Sequence, residues 1–314
     1  MSDVSGTSRA LSEGQEVQCL LCDGRRFALL FEDEYRVLLC RGCGLVFIGG
    51  SARDLDDFYS HQYVYGSADT SHDRIVRWVL RHLPAGGERT LLEIGCGRGR
   101  LLVRLRERGF RVFGIEPGQR AAEHARRAYG LTVGCFMLDA LAGPMRDQRY
   151  DAVLMIQTLE HLADPLGGLL IVRGLMARDG LLFVEVPHYF SPNGLYRWRA
   201  GRRYVPSANH LFVYSAHTLA ALLRRAGFEI VQRTRTFNDL RIVARPAPGA
   251  RAPSPSRARA YWEARAFHVL TPLLLRAADA ARGMRDAVRG TRVGPRSGSG
   301  AGCGGPAGPS GSSR

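Results

Sequence analysis

The stretch Leu91-Leu-Glu-Ile-Gly-Cys-Gly-Arg-Gly-Arg-Leu-Leu102 decides how the chain is read. An apolar run ends at Gly95, the glycines alternate through Gly97 and Gly99, and a helical pattern begins at once, with Leu101, Leu102 and Leu105 in it. Glycine is needed where backbone turns tightly or comes close to a ligand. A helix start behind it offers unpaired N–H groups. A glycine-rich turn alone is weak evidence, since many are only turns. Here an acid, Glu116, closes the next strand, RVFGIEPG, 22 residues after Ile94. A carboxylate there can accept both hydroxyls of a ribose.

The alternation continues outward. QRAAEHARRAYG reads as a helix, and LTVGCF and YDAVLMI read as strands. LADPLGGLLIVRGLMARDG reads as largely helical, and LLFVEV as a strand. Strand and helix alternating at short spacing argue a parallel α/β sheet. SAHTLAALLRRAG adds an amphipathic helix, with Ser215 as N-cap and Gly227 as stop. FEIVQRTRTF and LRIVAR then form an antiparallel pair closing the sheet edge. Upstream, a helix is expected from roughly His72 to Leu83, before Pro84.

Composition is ordinary for a globular protein, with 45% hydrophobic and 23% charged residues among 314. The net charge is +15, and every basic residue behind it is Arg. From Arg245 to Arg314 there are twelve arginines against three acids, so the excess belongs largely to that segment. An all-Arg complement concentrated there points to compositional bias more than to nucleic acid. No apolar run reaches bilayer length and MSDVSGTSRA has no apolar core, so neither a membrane span nor a secretory leader is expected. Seven cysteines without a leader argue against a disulfide framework and for a cytoplasmic setting.

Four of those cysteines form two pairs, Cys19-Leu-Leu-Cys22 and Cys40-Arg-Gly-Cys43, separated by 17 residues. Two such knuckles on hairpin tips can close a tetrahedral thiolate shell around zinc. A redox pair would need one reactive Cys-x-x-Cys beside a βαβ unit, and there is none. Four thiolates leave no open position, so the metal is expected to be structural.

EIGCGRG, then GIEPG, then DAVLMIQTLEHL, in this order and spacing, resembles the class I S-adenosylmethionine-dependent methyltransferases over about residues 72–245. The resemblance implies a Rossmann-like seven-stranded methyltransferase sheet. It places Gly95, Cys96, Gly97 and Gly99 around the methionine and ribose of the cofactor, and Glu93 at the amino-acid end. Glu116 would hold the ribose hydroxyls, Phe136 and Met137 would meet adenine, and Gln157 would border the methionine moiety. Taken with the cysteine ribbon and with Phe58, Tyr59 and Tyr63, the chain resembles zinc-containing sugar methyltransferases of deoxysugar and polysaccharide pathways. Those that methylate carbon often carry an acid before the last His. Asn209 stands there here, so the resemblance implies O-methylation of a sugar, nucleotide-linked sugar or glycan.

Methyl transfer needs mainly alignment, plus a base if the acceptor must lose a proton. His188 and His210 are the candidate catalytic bases, and His161 is a structural or cofactor-bordering one. Residues 188–210 carry five aromatics and four arginines, which suit a sugar, phosphate or nucleotide at an acceptor-side lid; a plain surface loop is the alternative. An RNA acceptor read by the ribbon is the competing expectation.

The expected organisation is a disordered start (1–16), a zinc-binding module (17–66), the methyltransferase domain (67–245), a linker (246–256), a helical C-terminal tail (257–290) and a disordered end (291–314). The tail helices are amphipathic and Arg-rich. Packing on the core or on a second subunit is the expectation, with peripheral membrane contact as the alternative.

Overall fold

The computed structural model describes residues 18–32, 36–49, 70–84, 88–141, 144–188 and 210–247. Residues 189–209 of the expected lid (188–210), Phe58, Tyr59 and Tyr63, the linker and the tail helices lie outside the described residues.

Seven strands form the main sheet: β4 (Thr90–Ile94), β5 (Arg111–Ile115), β6 (Thr132–Gly134), β7 (Tyr150–Ile156), β8 (Met176–Pro187), β10 (Phe228–Arg235) and β11 (Asp239–Pro246). Their order is β10-β11-β8-β7-β4-β5-β6. The pairings from β8 through β6 are parallel, and β11 runs antiparallel to both β8 and β10. Every residue of β4 is buried, as expected of a central parallel strand covered on both faces.

One face is covered by α1 (Thr70–His82), α2 (Arg100–Arg106) and α3 (Gln119–Tyr129), whose Ile75, Val79, Leu102 and Ala122 share a core with Leu91, Leu154 and Phe183. A four-residue helix, α4 (Pro144–Asp147), precedes β7. The other face is covered by α5 (Pro165–Leu175) and α6 (Ala216–Arg225), through Leu169, Val172, Leu219 and Leu223. The chain leaves β4 toward β5 on one side and reaches β7 on the other. That reversal opens a crevice at the carboxyl ends of β4 and β7, where ligands bind in open α/β sheets.

A second sheet holds the cysteines. β1 (Phe27–Glu32), β2 (Arg36–Cys40) and β3 (Val46–Gly49) form an antiparallel meander. Its fourth strand is β9 (Phe212–Val213), from far along the chain, with Val46 opposite Val213 and Phe47 opposite Phe212. The Ile48 N–H extends the ladder to Leu211 O at 2.9 Å. At the end of α6, Arg225 donates to Leu21 O and to both oxygens of Asp23, each at 3.0 Å. Cys19, Cys40, Cys43 and Phe47 therefore share one apolar core with Tyr214 and Leu222. The ribbon is sewn to the segment that follows His210, a long-range pairing that sequence spacing does not announce.

Three local expectations change. The helix before LLFVEV is shorter than expected: Asp164 caps it, Pro165 starts it, and it ends at Leu175. Met176 is already extended and pairs with Tyr150, so MARDG belongs to β8. In LTVGCF only Thr132–Gly134 is strand, because the Phe136 ring folds back over Gly134 into the space a Cβ would take. The helix placed from about His72 to Leu83 runs Thr70–His82. Ser215 does cap α6, reciprocally with Thr218, and Gly227 follows at φ +82°.

Candidate active site

The loop after β4 has Gly95, Gly97 and Gly99 at φ +72°, +55° and +78°, a region that L side chains rarely adopt. A Cβ on Gly95 would lie 2.6 Å from Thr158 Oγ1. That hydroxyl donates to Ile94 O at 3.0 Å, tying the end of β7 to the loop. A Cβ on Gly99 would run into Leu131. The loop is thus a cradle in which the backbone at Gly95 and Gly99 packs where a side chain would collide.

Glu116 follows β5 and is 3% exposed. Its Oε2 accepts from the Gly97 N–H and its Oε1 from the Gly118 N–H, both at 2.8 Å. The carboxylate braces the glycine loop against the next turn. Glu93, inside β4, is 5% exposed and its Oε2 has no hydrogen-bond partner among the described residues. Burial first, then the nearby charge of Glu116, pushes Glu93 up to about 8. Cys96 turns its thiol into the core against Gly114, and burial raises it well above the ordinary thiol range. Only backbone is left to face a ligand at that position, and the Cys96 N–H already donates to Ile115 O at 3.1 Å. Phe136 and Met137 leave β6 half-buried at the next strand end.

Beyond β7 the site is ionic. Gln157 sits at φ +54°, and its backbone N–H donates to Glu185 O at 2.8 Å. Its Nε2 donates to Asp239 Oδ1 at 3.2 Å and Glu185 Oε1 at 3.4 Å. Arg241 Nε meets Glu185 Oε2 at 2.5 Å and its guanidinium lies over Trp78, 5.3 Å from the ring centre. Arg74 reaches Glu185 at 3.3 Å and Asp239 at 3.2 Å. Burial, then Asp239, raises Glu185, and Arg241 opposes that rise. Arg74, Glu185, Asp239 and Arg241 were not singled out from sequence. The available signal was a charge inside an apolar strand, Glu185 in LLFVEV and Arg241 in LRIVAR.

The structure brings two imidazoles together. His161 and His210 meet edge-on, with ring centres 4.6 Å apart. Burial first and His161 second lower His210 to about 3, so its ring is neutral at physiological pH. Beside them Glu160 is fully buried, without a hydrogen-bond partner among the described residues. Burial, reinforced by Glu185 and Asp239, pushes Glu160 up to about 8. Ligand atoms of Glu160, His161 and His210 lie within 4.8 Å of one another. His188 follows β8, and its backbone N–H donates to Asn238 O at 2.7 Å.

The four ribbon sulfurs also lie within 4.8 Å of one another, with Cys19–Cys43 and Cys22–Cys40 both at 3.5 Å. A tetrahedral zinc with Zn–S of about 2.3 Å needs sulfurs about 3.8 Å apart, so the cluster is compatible with a zinc ribbon. Thiol hydrogen bonds from Cys19 and Cys43 hold Cys40 down at about 2, while Cys19 and Cys43 are raised.

Residues 68–233, more than half the chain, match the methyltransferase domain family. The chain belongs to that family. A ubiquinone biosynthesis O-methyltransferase of Cereibacter sphaeroides is 32% identical over 161 residues, 48% of this chain and 64% of that protein. A tRNA U34 carboxymethyltransferase of Marinobacter nauticus is 32% identical over 170 residues, 51% of each chain. An O-methyltransferase of Aspergillus sclerotiorum is 26% identical over 188 residues, 57% of this chain and 67% of that one. The chain thus spans less than two thirds of the first two relatives. Among solved structures, the magnesium protoporphyrin IX methyltransferase of Synechocystis is similar at 17% identity and TM-score 0.45, covering 63% of this methyltransferase-family chain and all of the other. Among the described residues no helix is long and apolar enough to cross a membrane.

Proposed function

We propose that this chain transfers a methyl group from S-adenosylmethionine to a hydroxyl of a small-molecule acceptor, a sugar, nucleotide-linked sugar or glycan. The observation that carries the reading is the pairing of Glu116 with the Gly97 N–H across a glycine-rich loop at the switch point of the sheet. A cradle with a carboxylate at its rim suits a ribose, and the unpartnered oxygen of Glu93 suits a buried ammonium.

When bound, the cofactor supplies an electrophilic methyl on a sulfonium. The chain's residues do the rest. Gly95, Gly97 and Gly99 admit the ligand to backbone, with Cys96 contributing main chain only. Glu116 takes the ribose hydroxyls, Phe136 and Met137 flank the adenine, and Gln157 closes the methionine end. His188 and His210 are the candidates to accept the proton of the acceptor hydroxyl. Cys19, Cys22, Cys40 and Cys43 hold one structural zinc. Through β3 and β9 that zinc steadies the segment bearing His210.

O-methylation is favoured by the names of two relatives, and the tRNA-modifying relative supports RNA as the second reading. Transfer of labelled methyl from S-adenosylmethionine to nucleotide sugars, lipid-linked glycans and RNA, side by side, tests both. Label only in RNA would overturn the small-molecule reading.

A further inference from the structure

An open cavity of 410 Å³ lies at the outer edge of the sheet, between β10, the start of α6 and the first residues of β11. Such a volume lies within the range of sites for metabolite-sized ligands. Its walls include Ala216, His217, Arg233, Arg235, Leu240 and Ile242.

The register explains the arrangement. Arg235 is opposite Leu240, and Arg233 is opposite Ile242. Residues directly opposite in an antiparallel pair point to the same face. Leu240 and Ile242 belong to the core under α6, so both arginines emerge on the face of that helix. Being two apart in one strand, they stand about 7 Å from each other.

Some surface arginines are neutralised by acids, Arg104 by Asp73 at 2.6 Å, Arg225 by Asp23 at 3.0 Å and Arg245 by Glu229 at 2.8 Å; others, such as Arg81 and Arg120, have no acidic partner among the described residues. Arg233 and Arg235 are exposed, and neither has an acidic partner among the described residues. Two uncompensated guanidinium groups at one cavity suit a doubly charged phosphate ligand. Arginines on an edge strand also discourage strand pairing, but that role requires no cavity beside them. The location matters as well. Asp239 pairs with Pro187 at the carboxyl end of β8, so the start of β11 and the end of β10 lie at the same end of the sheet as Gln157 and Glu185.

We propose that Arg233 and Arg235 form a subsite for the diphosphate of the acceptor, so that the acceptor is a nucleoside-diphosphate-linked sugar. The assignment rests on the methyl-transfer reading and narrows it.

The test is calorimetric titration of the full chain, saturated with S-adenosylhomocysteine, using inorganic pyrophosphate and, separately, uridine diphosphate. The wild type is expected to bind both. The R233Q/R235Q variant, which removes charge from an exposed strand, is expected to bind both about tenfold or more weakly, while S-adenosylhomocysteine binding and melting temperature stay unchanged. R233E/R235E should weaken them further. Diphosphate binding that survives R233Q/R235Q overturns the subsite alone, as does a wild type that binds single-stranded RNA but neither diphosphate. A wild type that fails to bind S-adenosylhomocysteine overturns the methyl-transfer reading, and the subsite with it.

Discussion

The two halves of the main sheet build their sites in opposite ways. On the β4–β6 side the ligand surface is backbone, held open by glycines, with one carboxylate bonded to two main-chain N–H groups. On the β7–β11 side it is side chain: Arg74, Gln157, Glu185, Asp239 and Arg241 interlock from distant segments. A main-chain cradle serves one invariant ligand, whereas a side-chain network can be altered to take different acceptors. Among the described residues the ribbon is hydrogen-bonded to β9 and to Arg225 of α6.

Breaking the ribbon should have the largest effect and should fall on the acceptor half. Cys40→Ser is expected to reduce zinc from one per chain to none by elemental analysis. Removal of a structural zinc costs several kcal/mol or more, so the melting temperature should fall sharply. A stably folded protein without zinc would remove the ribbon from the account.

Next in size is Arg241→Ala, which leaves Glu185 buried with only the half-exposed Arg74 to compensate. Breaking one partner of a buried pair costs about 3–5 kcal/mol. Denaturant unfolding should show that loss, and adding Glu185→Gln should recover part of it. If the loss were as small as at an exposed pair, the network would not be the buried, ionic half described.

The halves share a response of their buried acids to pH but differ in the response to ligand. Glu93 and Glu160 are both raised to about 8 in the folded protein, above the ordinary 4.5. The native state therefore holds these protons more tightly than the unfolded chain. Their contribution to stability is complete below about pH 4.5 and is lost as pH rises through about 8. A rise from 4.5 to about 8 corresponds to at most roughly 5 kcal/mol for each buried acid. Glu93→Gln and Glu160→Gln should each flatten the fall in stability between pH 5 and 8. Saturating S-adenosylmethionine should flatten it in the wild type but less in Glu93→Gln, since its ammonium would stabilise ionised Glu93. An equal ligand effect in both proteins would detach Glu93 from the cofactor half.

This contrast also explains what could be read from sequence. The cradle is local: strand, glycines, helix and the next strand's acid lie within Leu91–Glu116, so their spacing carries the geometry. The four cysteines are local in the same sense. Arg74 and Arg241 lie 167 positions apart and meet Glu185 only because β11 inserts beside β8. The pairing of β3 with β9 is likewise a tertiary choice, made by Phe47 and Phe212 packing together rather than by any turn between them. The end of α5 was misplaced because MARDG has no strand pattern of its own, and only pairing with β7 makes it extended.

Glu116 tests the central claim most directly, because the account makes it both the brace of the glycine loop and the ribose ligand. Replacing it with Ala removes charged hydrogen bonds worth about 1.5–3 kcal/mol. Calorimetric titration with S-adenosylmethionine should therefore show affinity weakened about tenfold or more relative to wild type, while R233Q/R235Q retains full affinity. Unchanged affinity in Glu116→Ala would contradict the placement of the cofactor at the carboxyl ends of β4 and β5.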